Sequence, residues 1–163
     1  MNSLPRSEAE AEFLKCCGST KWALGMTEAR PFGGTQDLVS EADRIWGSLS
    51  SEDWLEAFRA HPQIGEKRAA AQQSSETQSW SAQEQSGVEN AAIAIKAALA
   101  EGNRQYERRF GFIFIIYATG KTAEEMLTIL NRRLRNDRET ELRIAAEEQR
   151  KIMRLRLEKL LNQ

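Results

Sequence analysis

The chain has 163 residues, of which 29% are charged and 40% are hydrophobic, as expected of one globular domain and not of a disordered chain. Its formal net charge of −1 leaves no overall basic footprint for nucleic acid. No apolar run approaches the about 20 residues that span a bilayer, and the N-terminal residues lack the apolar core of a signal peptide, so we expect no membrane partner and an intracellular, cytoplasmic protein.

Four helices are predicted in the first 60 residues. Ser7 and Glu10 have the spacing of a capping box at the start of the first helix, and Gly18 is expected to end it. Apolar residues recur at three- and four-residue spacing along the rest of this stretch. The other predicted elements are a short helix around Trp22, a loop over residues 30–34, a helix over residues 35–48, and a helix capped by Ser51.

The next stretch, Ala60-His61-Pro62-Gln63-Ile64-Gly65-Glu66-Lys67, contains the one histidine of the chain. Pro62 disfavours a helical conformation at His61 and is expected to end the preceding helix, and Gly65 permits a sharp bend. An imidazole has an unperturbed pKa of about 6.5, so a histidine fixed at this turn can exchange protons near neutral pH. A hydrogen-bonded histidine with a purely structural role is the alternative, and composition alone favours it.

Three segments follow along the middle of the chain. Residues 66–80 are polar and lack apolar periodicity, which predicts a loop or a frayed helix. A long helix is predicted from Ser81 to about Ala100. The apolar run over residues 110–117 has the length of a buried strand, but no second strand candidate exists to pair with it, so we predict a buried helix there.

Two helices are predicted in the remainder. Thr122 and Glu125 form a capping box for the first of them, and Asn136-Asp137 is expected to break it. The last helix is predicted from about Glu139 to Leu161. The pattern as a whole predicts an all-α, single-domain bundle of about seven or eight helices over residues 1–163.

Two charged side chains fall on helix faces that are otherwise apolar. At about 100° per residue, Glu84 shares the apolar arc of its helix, although Ser81-x-x-Glu84 is also a capping box, which is the structural alternative. Arg156 falls in the middle of the apolar arc of the last helix, beside Gln149, whereas Arg154 is predicted in a solvated salt-bridge ladder. A buried guanidinium needs a carboxylate, carbonyl groups or an anionic ligand, and a structural ion pair, including one with Glu84, would also meet that need.

One histidine, one inward glutamate and one inward arginine come from three separate segments. If they converge, the set suits acid–base chemistry on a small anionic substrate. We expect no metal, because one histidine and the adjacent Cys16 and Cys17 do not supply a ligand set. Adjacent cysteines also cannot join distant parts of a fold, which favours a reducing, intracellular setting.

Several motifs together resemble one known family. The resemblance runs from about residue 8 to residue 161, and the motifs occur in the family's order. That family is OHCU decarboxylase, where OHCU is 2-oxo-4-hydroxy-4-carboxy-5-ureidoimidazoline. The motifs are Cys17-Gly18-Ser19, Trp22-Ala23 with Met26, Trp54-Leu55-x-Ala57-Phe58, His61-Pro62-Gln63-Ile64-Gly65, Ser81-x-x-Glu84-Gln85, Phe110-Gly111-Phe112-Ile113-Phe114-Ile115, and Leu155-Arg156-Leu157.

The resemblance implies an all-helical, commonly homodimeric enzyme of urate breakdown that converts OHCU to (S)-allantoin without a cofactor. Its catalytic residues fall on His61, Glu84 and Arg156. Many members have arginine where this chain has Gln63, a position that we expect to be peripheral. Relatives in plants carry the domain fused to a transthyretin-like hydrolase, so a 5-hydroxyisourate hydrolase is an expected fused or cooperating partner. The implied substrate-binding residues are Pro62, Ser81, Gln85, Phe110, Gly111, Phe112 and Ile113.

Three other readings of the sequence stay open at this point. The charged last helix could dock a partner in a protein-interaction module, for which inward Glu84 and Arg156 would have no use. A regulator that binds purine-breakdown ligands without catalysis is a second possibility, and the presence of all three implied catalytic residues argues against it. Nucleic-acid binding is the third. It would use the local basic cluster Arg132, Arg133, Arg135 and Arg138, which a solvated helix end also explains.

Overall fold

The computed structural model describes residues 1–62 and 93–162, and all regular secondary structure in these two ranges is helical. The all-α prediction is therefore confirmed for the described chain. The predicted loop over residues 66–80 and the predicted helix start at Ser81 lie outside it. No helix in the described ranges is both long and apolar enough to cross a bilayer. The helices are α1 (Arg6–Cys17), α2 (Thr20–Glu28), α3 (Thr35–Ser48), α4 (Ser51–Arg59), α5 (Ile93–Phe110), α6 (Ala123–Arg133) and α7 (Arg138–Leu161).

The chain forms two compact units. Unit 1 consists of Met1–Ala60 and Gln149–Gln163, and unit 2 consists of His61–Glu148. Helix α7 contributes its N-terminal half to unit 2 and its C-terminal half to unit 1. The two units are described in turn.

Unit 1 is built around the fully buried Trp22 of α2. The ring of Phe13 in α1 meets the Trp22 ring edge-on, with 5.9 Å between centroids, and also meets Phe32 edge-on at 6.1 Å. The indole Nε1 of Trp22 donates a 3.0 Å hydrogen bond to the backbone oxygen of Ala42 in α3. The aromatic cluster thus joins α1, α2 and α3, and its one polar atom is satisfied inside the core.

Two of the predicted helix caps are wrong. Helix α1 begins at Arg6, before Ser7, and its N-cap is Pro5, which has no side-chain hydrogen bond to offer. Helix α4 is capped by Ser50 instead of Ser51, and Asp53 completes the capping box with a 2.9 Å bond from the Ser50 amide. The reason is the backbone: Ser50 is extended, whereas Ser51 is already helical, and only the extended residue can cap. Spacing alone does not distinguish adjacent serines.

The end of α1 at Gly18 is confirmed, and it depends on the absence of a side chain. Gly18 has φ +76°, and a Cβ there would lie 2.4 Å from the Ala60 Cβ. Gly18→Ala is therefore expected to lower the free energy of unfolding by about 1–2 kcal/mol for the left-handed backbone and by about 1–3 kcal/mol more for the overlap. Urea denaturation of the variant measures the sum.

Gly120→Ala is the matched control for this change. Gly120 has φ +77°, yet no atom of the described residues lies within 4 Å of the position that a Cβ would take there, so only the backbone cost is expected. Equal losses of stability in the two variants would show that the contact with Ala60 costs nothing.

Helix α7 is tied to α3 by charge within unit 1. Asp43 of α3 accepts a 2.9 Å hydrogen bond from Nε of Arg154, pairs with its Nη2 as well, and lies 3.4 Å from Nη1 of Arg150. Arg154 therefore binds a carboxylate on another helix, a contact that the predicted salt-bridge ladder did not include. Such two-point contact between a guanidinium and a carboxylate fixes orientation as well as distance.

In unit 2, helix α5 ends later in the chain than the sequence predicts. The polar composition after Ala100 suggests an end there, but α5 continues to Phe110. On its outer face, Glu101 accepts hydrogen bonds from Arg104 at 2.9 Å and from other side chains one and two turns further along. On its inner face, Tyr106 is fully buried. A polar stretch can thus continue a helix when each face has its own partners.

The predicted buried helix over residues 110–117 is wrong. After Phe110 the chain turns through Gly111, whose φ is +79° and whose amide bonds to the Glu107 oxygen at 2.8 Å, a common helix ending. Residues 112–116 are buried as predicted, but they form neither a helix nor a paired strand within the described chain.

Side chains of α6 and α7 form hydrogen bonds with backbone groups within this segment and at its two ends. Buried backbone groups must be satisfied, and charged side chains satisfy them strongly. The sequence pattern could not predict this arrangement, because the partners come from distant helices. The bonds are Arg133 Nη1 to Ile115 O at 2.7 Å, Arg138 Nε to Phe110 O at 3.0 Å, and Tyr117 N to Glu148 Oε2 at 2.7 Å.

A buried polar network holds unit 2 together. Glu141 is fully buried, pairs with Nε of the buried Arg133, and accepts hydrogen bonds from Tyr106 Oη at 2.7 Å and from Asn136 Nδ2 at 2.8 Å. Burial and the adjacent carboxylate both raise the pKa of Tyr106, so the phenol stays a donor. Explaining the basic cluster as a solvated helix end is thus wrong for Arg133. With Arg138 also bonded to Phe110, the cluster is not a free basic surface.

Candidate active site

The predicted position of His61 is confirmed. Helix α4 ends at Arg59, Ala60 closes it with a 3.2 Å bond to the Ala57 oxygen, and His61 and Pro62 follow in non-helical backbone. The imidazole is 7% exposed, so it is nearly removed from water. Its location at a helix end on a proline-restricted turn limits the directions in which the ring can point.

Arg156 also lies where helical periodicity predicts it. It is 2% exposed on the apolar face of α7. Its positive charge lowers the pKa of Cys16 and Cys17, against the larger effect of burial, which raises the pKa of Cys17 to about 12. The guanidinium therefore lies close to the C-terminal end of α1 in unit 1.

Gln149 is a further buried polar side chain on the same face of α7. It is fully buried, and its Nε2 donates a long, 3.4 Å hydrogen bond to the backbone oxygen of Cys17. A hydrogen bond from this amide also lowers the pKa of the Cys17 thiol. The Oε1 atom accepts no hydrogen bond from the described residues. The sequence identified Gln149 only as a neighbour of Arg156. The signal in the sequence that could have identified it as a site residue is its position as a polar side chain on the apolar face of the last helix.

The segment over residues 110–113 is buried except at one position. Phe110, Phe112 and Ile113 are each at most 6% exposed, whereas Gly111 is exposed. The Phe110 oxygen is already bonded to Arg138. The backbone amide and carbonyl groups of Ile113 make no hydrogen bond to another described residue.

The predicted site residues are distributed over the described chain as follows. His61, Pro62 and residues 110–113 belong to unit 2, and Arg156 belongs to unit 1. Ser81, Glu84 and Gln85 lie outside the described residues. The convergence of His61, Glu84 and Arg156 therefore stays a prediction.

Comparison with known proteins gives the family. The family model described as OHCU decarboxylase matches residues 2–158 of this chain. The chain belongs to the OHCU decarboxylase family. The resemblance inferred from the ordered motifs is thereby confirmed, and the single uninterrupted match includes residues of both units.

Curated members of the OHCU decarboxylase family and their bifunctional relatives match most of this chain. The uric acid degradation bifunctional protein TTL of Arabidopsis thaliana is 37% identical over 153 residues, which cover 94% of this chain and 47% of that protein. The chain spans about half the length of that relative and 30% of a bifunctional relative from a Bacillus strain. The 2-oxo-4-hydroxy-4-carboxy-5-ureidoimidazoline decarboxylase of Amia calva is 32% identical over 142 residues, 85% of this chain and 79% of that protein.

A solved structure supports the same assignment. A crystal structure of OHCU decarboxylase in the presence of (S)-allantoin superposes with a TM-score of 0.79 at 38% sequence identity. The match covers 93% of this chain and 98% of that one. The OHCU decarboxylase fold therefore accounts for nearly the whole chain.

Proposed function

We propose that the protein is a carboxy-lyase that converts OHCU to (S)-allantoin in urate degradation, without a cofactor. The observation that carries the proposal is the solved OHCU decarboxylase, 98% of whose chain is matched by this one. The names of the curated relatives, which refer to this decarboxylase or to uric acid degradation, agree with it.

Arg156 is assigned to hold the substrate carboxylate. Its burial removes competition from water, which strengthens the interaction of a guanidinium with an anion. A carboxylate that is held at one end of the ring leaves the other ring substituents in a fixed orientation, and this lowers the entropic part of the barrier. The same contact keeps the scissile bond at a defined angle to the ring.

His61 is assigned to proton transfer, with Glu84 as its helper. When the bond between the ring and the carboxylate breaks, its electron pair passes into the ring system and CO2 leaves. The ring nitrogen that receives the electron pair takes up one proton and the ring carbon that carries the ureido group takes up a second, while the C4 hydroxyl loses its proton and becomes a carbonyl. A positioned imidazole can move protons at neutral pH, and delivery from one face gives the (S) product.

The remaining assigned residues bind and orient the substrate. Backbone groups of Phe110, Gly111, Phe112 and Ile113 are assigned to contact the ring. In support, the amide and carbonyl groups of Ile113 make no hydrogen bond to another described residue. Pro62 would contact the same molecule from the turn that holds His61. Ser81 and Gln85 complete the assigned set of side-chain contacts.

The cellular setting is also part of the proposal. We place the enzyme in the cytoplasm as a homodimer, in sequence with a 5-hydroxyisourate hydrolase that supplies OHCU. The support is that several similar proteins are named bifunctional proteins of uric acid degradation. A second polypeptide or a fused domain would serve equally as the source of the substrate.

The test is a coupled assay. Urate, urate oxidase and 5-hydroxyisourate hydrolase generate OHCU, and its decay is followed by ultraviolet absorbance and circular dichroism with and without this protein. Faster decay with accumulation of optically active (S)-allantoin is the expected result. Unchanged slow decay to racemic allantoin in the presence of folded protein would reject the decarboxylase and favour the protein-interaction module.

A further inference from the structure

Gln149 presents an acceptor that the described residues leave unused. The side chain is fully buried, and its Nε2 is committed to the Cys17 oxygen, which fixes the amide with Oε1 pointing away from that bond. No described donor reaches Oε1. Buried amide oxygens are nearly always hydrogen-bonded, so an exception calls for a specific cause.

The position of Gln149 relative to Arg156 indicates that cause. The two residues are seven apart on α7, which is close to two full turns, so they share one face of the helix. Side chains on a helix tilt towards its N-terminus, and the arginine side chain is the longer of the two. Both side chains also act on the same neighbour, Cys17 at the end of α1.

We infer that Gln149 is a substrate-binding residue whose Oε1 accepts a hydrogen bond from an N–H group of the molecule that Arg156 holds by its carboxylate. This inference rests on the proposed function. It extends that function by naming the group that recognises the nitrogen-rich part of the substrate.

The chemistry of the two side chains is complementary. A guanidinium only donates hydrogen bonds, so Arg156 can bind the carboxylate but not the N–H groups of a ureido-substituted ring. The carbonyl oxygen of the Gln149 amide accepts hydrogen bonds, so this side chain can bind the N–H groups that Arg156 cannot. A ligand that carries both functions satisfies both residues in one orientation. A carboxylate without N–H donors satisfies only Arg156.

The test compares Gln149→Met with the wild type in the coupled OHCU assay and in calorimetric titration with (S)-allantoin. Methionine keeps the length of the side chain and loses both hydrogen-bonding groups. Loss of one ligand hydrogen bond is expected to raise KM for OHCU about 10-fold and to weaken (S)-allantoin binding by a similar factor, with kcat changed much less. The Tm is expected to be unchanged or higher, because the variant removes a buried oxygen without a donor.

Gln105→Met is the matched control. Gln105 is exposed on α5, where its Nε2 donates a 3.0 Å hydrogen bond to Glu101, so its replacement is expected to leave KM and (S)-allantoin binding unchanged. If Gln149→Met does not fold, Gln149→Asn replaces it. The shorter side chain withdraws the carbonyl from the ligand, and KM is again expected to rise.

Three results would overturn the inference. If KM and (S)-allantoin binding are unchanged in a folded Gln149 variant, Oε1 serves a buried water or nothing at all. If Tm falls while KM stays constant, the amide is structural. If the wild type itself does not consume OHCU, the proposed function is wrong, and the inference that rests on it is wrong as well. Wild-type activity thus separates this failure from the first two.

Discussion

Replacing His61 with asparagine is expected to lower kcat/KM for OHCU by about 10³-fold, within the range that general acid–base catalysis contributes. Asparagine keeps a polar, hydrogen-bonding side chain of similar reach but cannot exchange a proton near neutral pH. Because His61 follows α4 in non-helical backbone, the change alters no helical hydrogen bond. The far-ultraviolet circular dichroism is therefore expected to match the wild type.

The measurement is the initial rate of OHCU decay in the coupled assay, at matched protein concentrations. The control is Gln63→Arg, two positions further along the sequence. Many members of the family have arginine at that position, so its rate is expected to stay close to the wild type. Near-native turnover by the asparagine variant would remove His61 from the chemistry. Loss of both activity and helical signal would make the histidine structural.

Arg156→Leu is expected to reduce kcat/KM by about 10²–10⁴-fold, the range that corresponds to losing a buried charge pair worth about 3–5 kcal/mol. The guanidinium is 2% exposed, so no water is available to replace it as a partner of the substrate carboxylate. The effect on stability is a separate quantity. Removing one partner of a buried ion pair costs about 3–5 kcal/mol, whereas replacing the whole pair with apolar side chains is often neutral or stabilising. Coupled-assay kinetics and thermal denaturation measure the two effects separately.

Arg154→Leu gives the matched comparison on the same helix. Arg154 is bonded to Asp43 and lies outside the assigned site, so its loss is expected to lower Tm slightly and to leave kcat/KM unchanged. The comparison of kcat/KM in the two variants distinguishes an arginine that binds substrate from one with a structural role. If Arg156→Leu retains wild-type kcat/KM and loses stability, Arg156 is part of a structural ion pair.

Local patterns predicted the features that depend on nearby residues. The bounds of α3 and the capping box of Thr122 with Glu125 follow from spacing within a few residues, and the structure confirms both. The inward direction of Arg156 follows from periodicity along one long helix, and its burial confirms it. In each case the deciding interactions lie within the same helix, where the sequence displays them.

Features decided by distant partners could not be predicted in this way. The chain leaves the helix after Phe110, and side chains of other helices form hydrogen bonds with its backbone at Phe110, Ile115 and Tyr117. Arg133 itself looks like one member of an exposed basic cluster until its pairing with Glu141 is known. The family motifs indicated the candidate site and its chemistry, whereas spacing alone left the structural alternatives for His61, Glu84 and Arg156 open.

The adjacent cysteines at the end of α1 have a consequence for labelling experiments. Both thiols are fully buried, and with the pKa of Cys17 at about 12 only about 10⁻⁵ of that thiol is ionised at pH 7. An alkylating reagent can therefore react with these thiols only when this end of α1 opens locally. The rate of thiol modification therefore measures how often the structure opens locally beside Arg156 and Gln149, the two side chains assigned to bind the ligand. A molecule that binds these two side chains would lower the rate of thiol modification. The modification rate can therefore report ligand binding without any catalytic turnover.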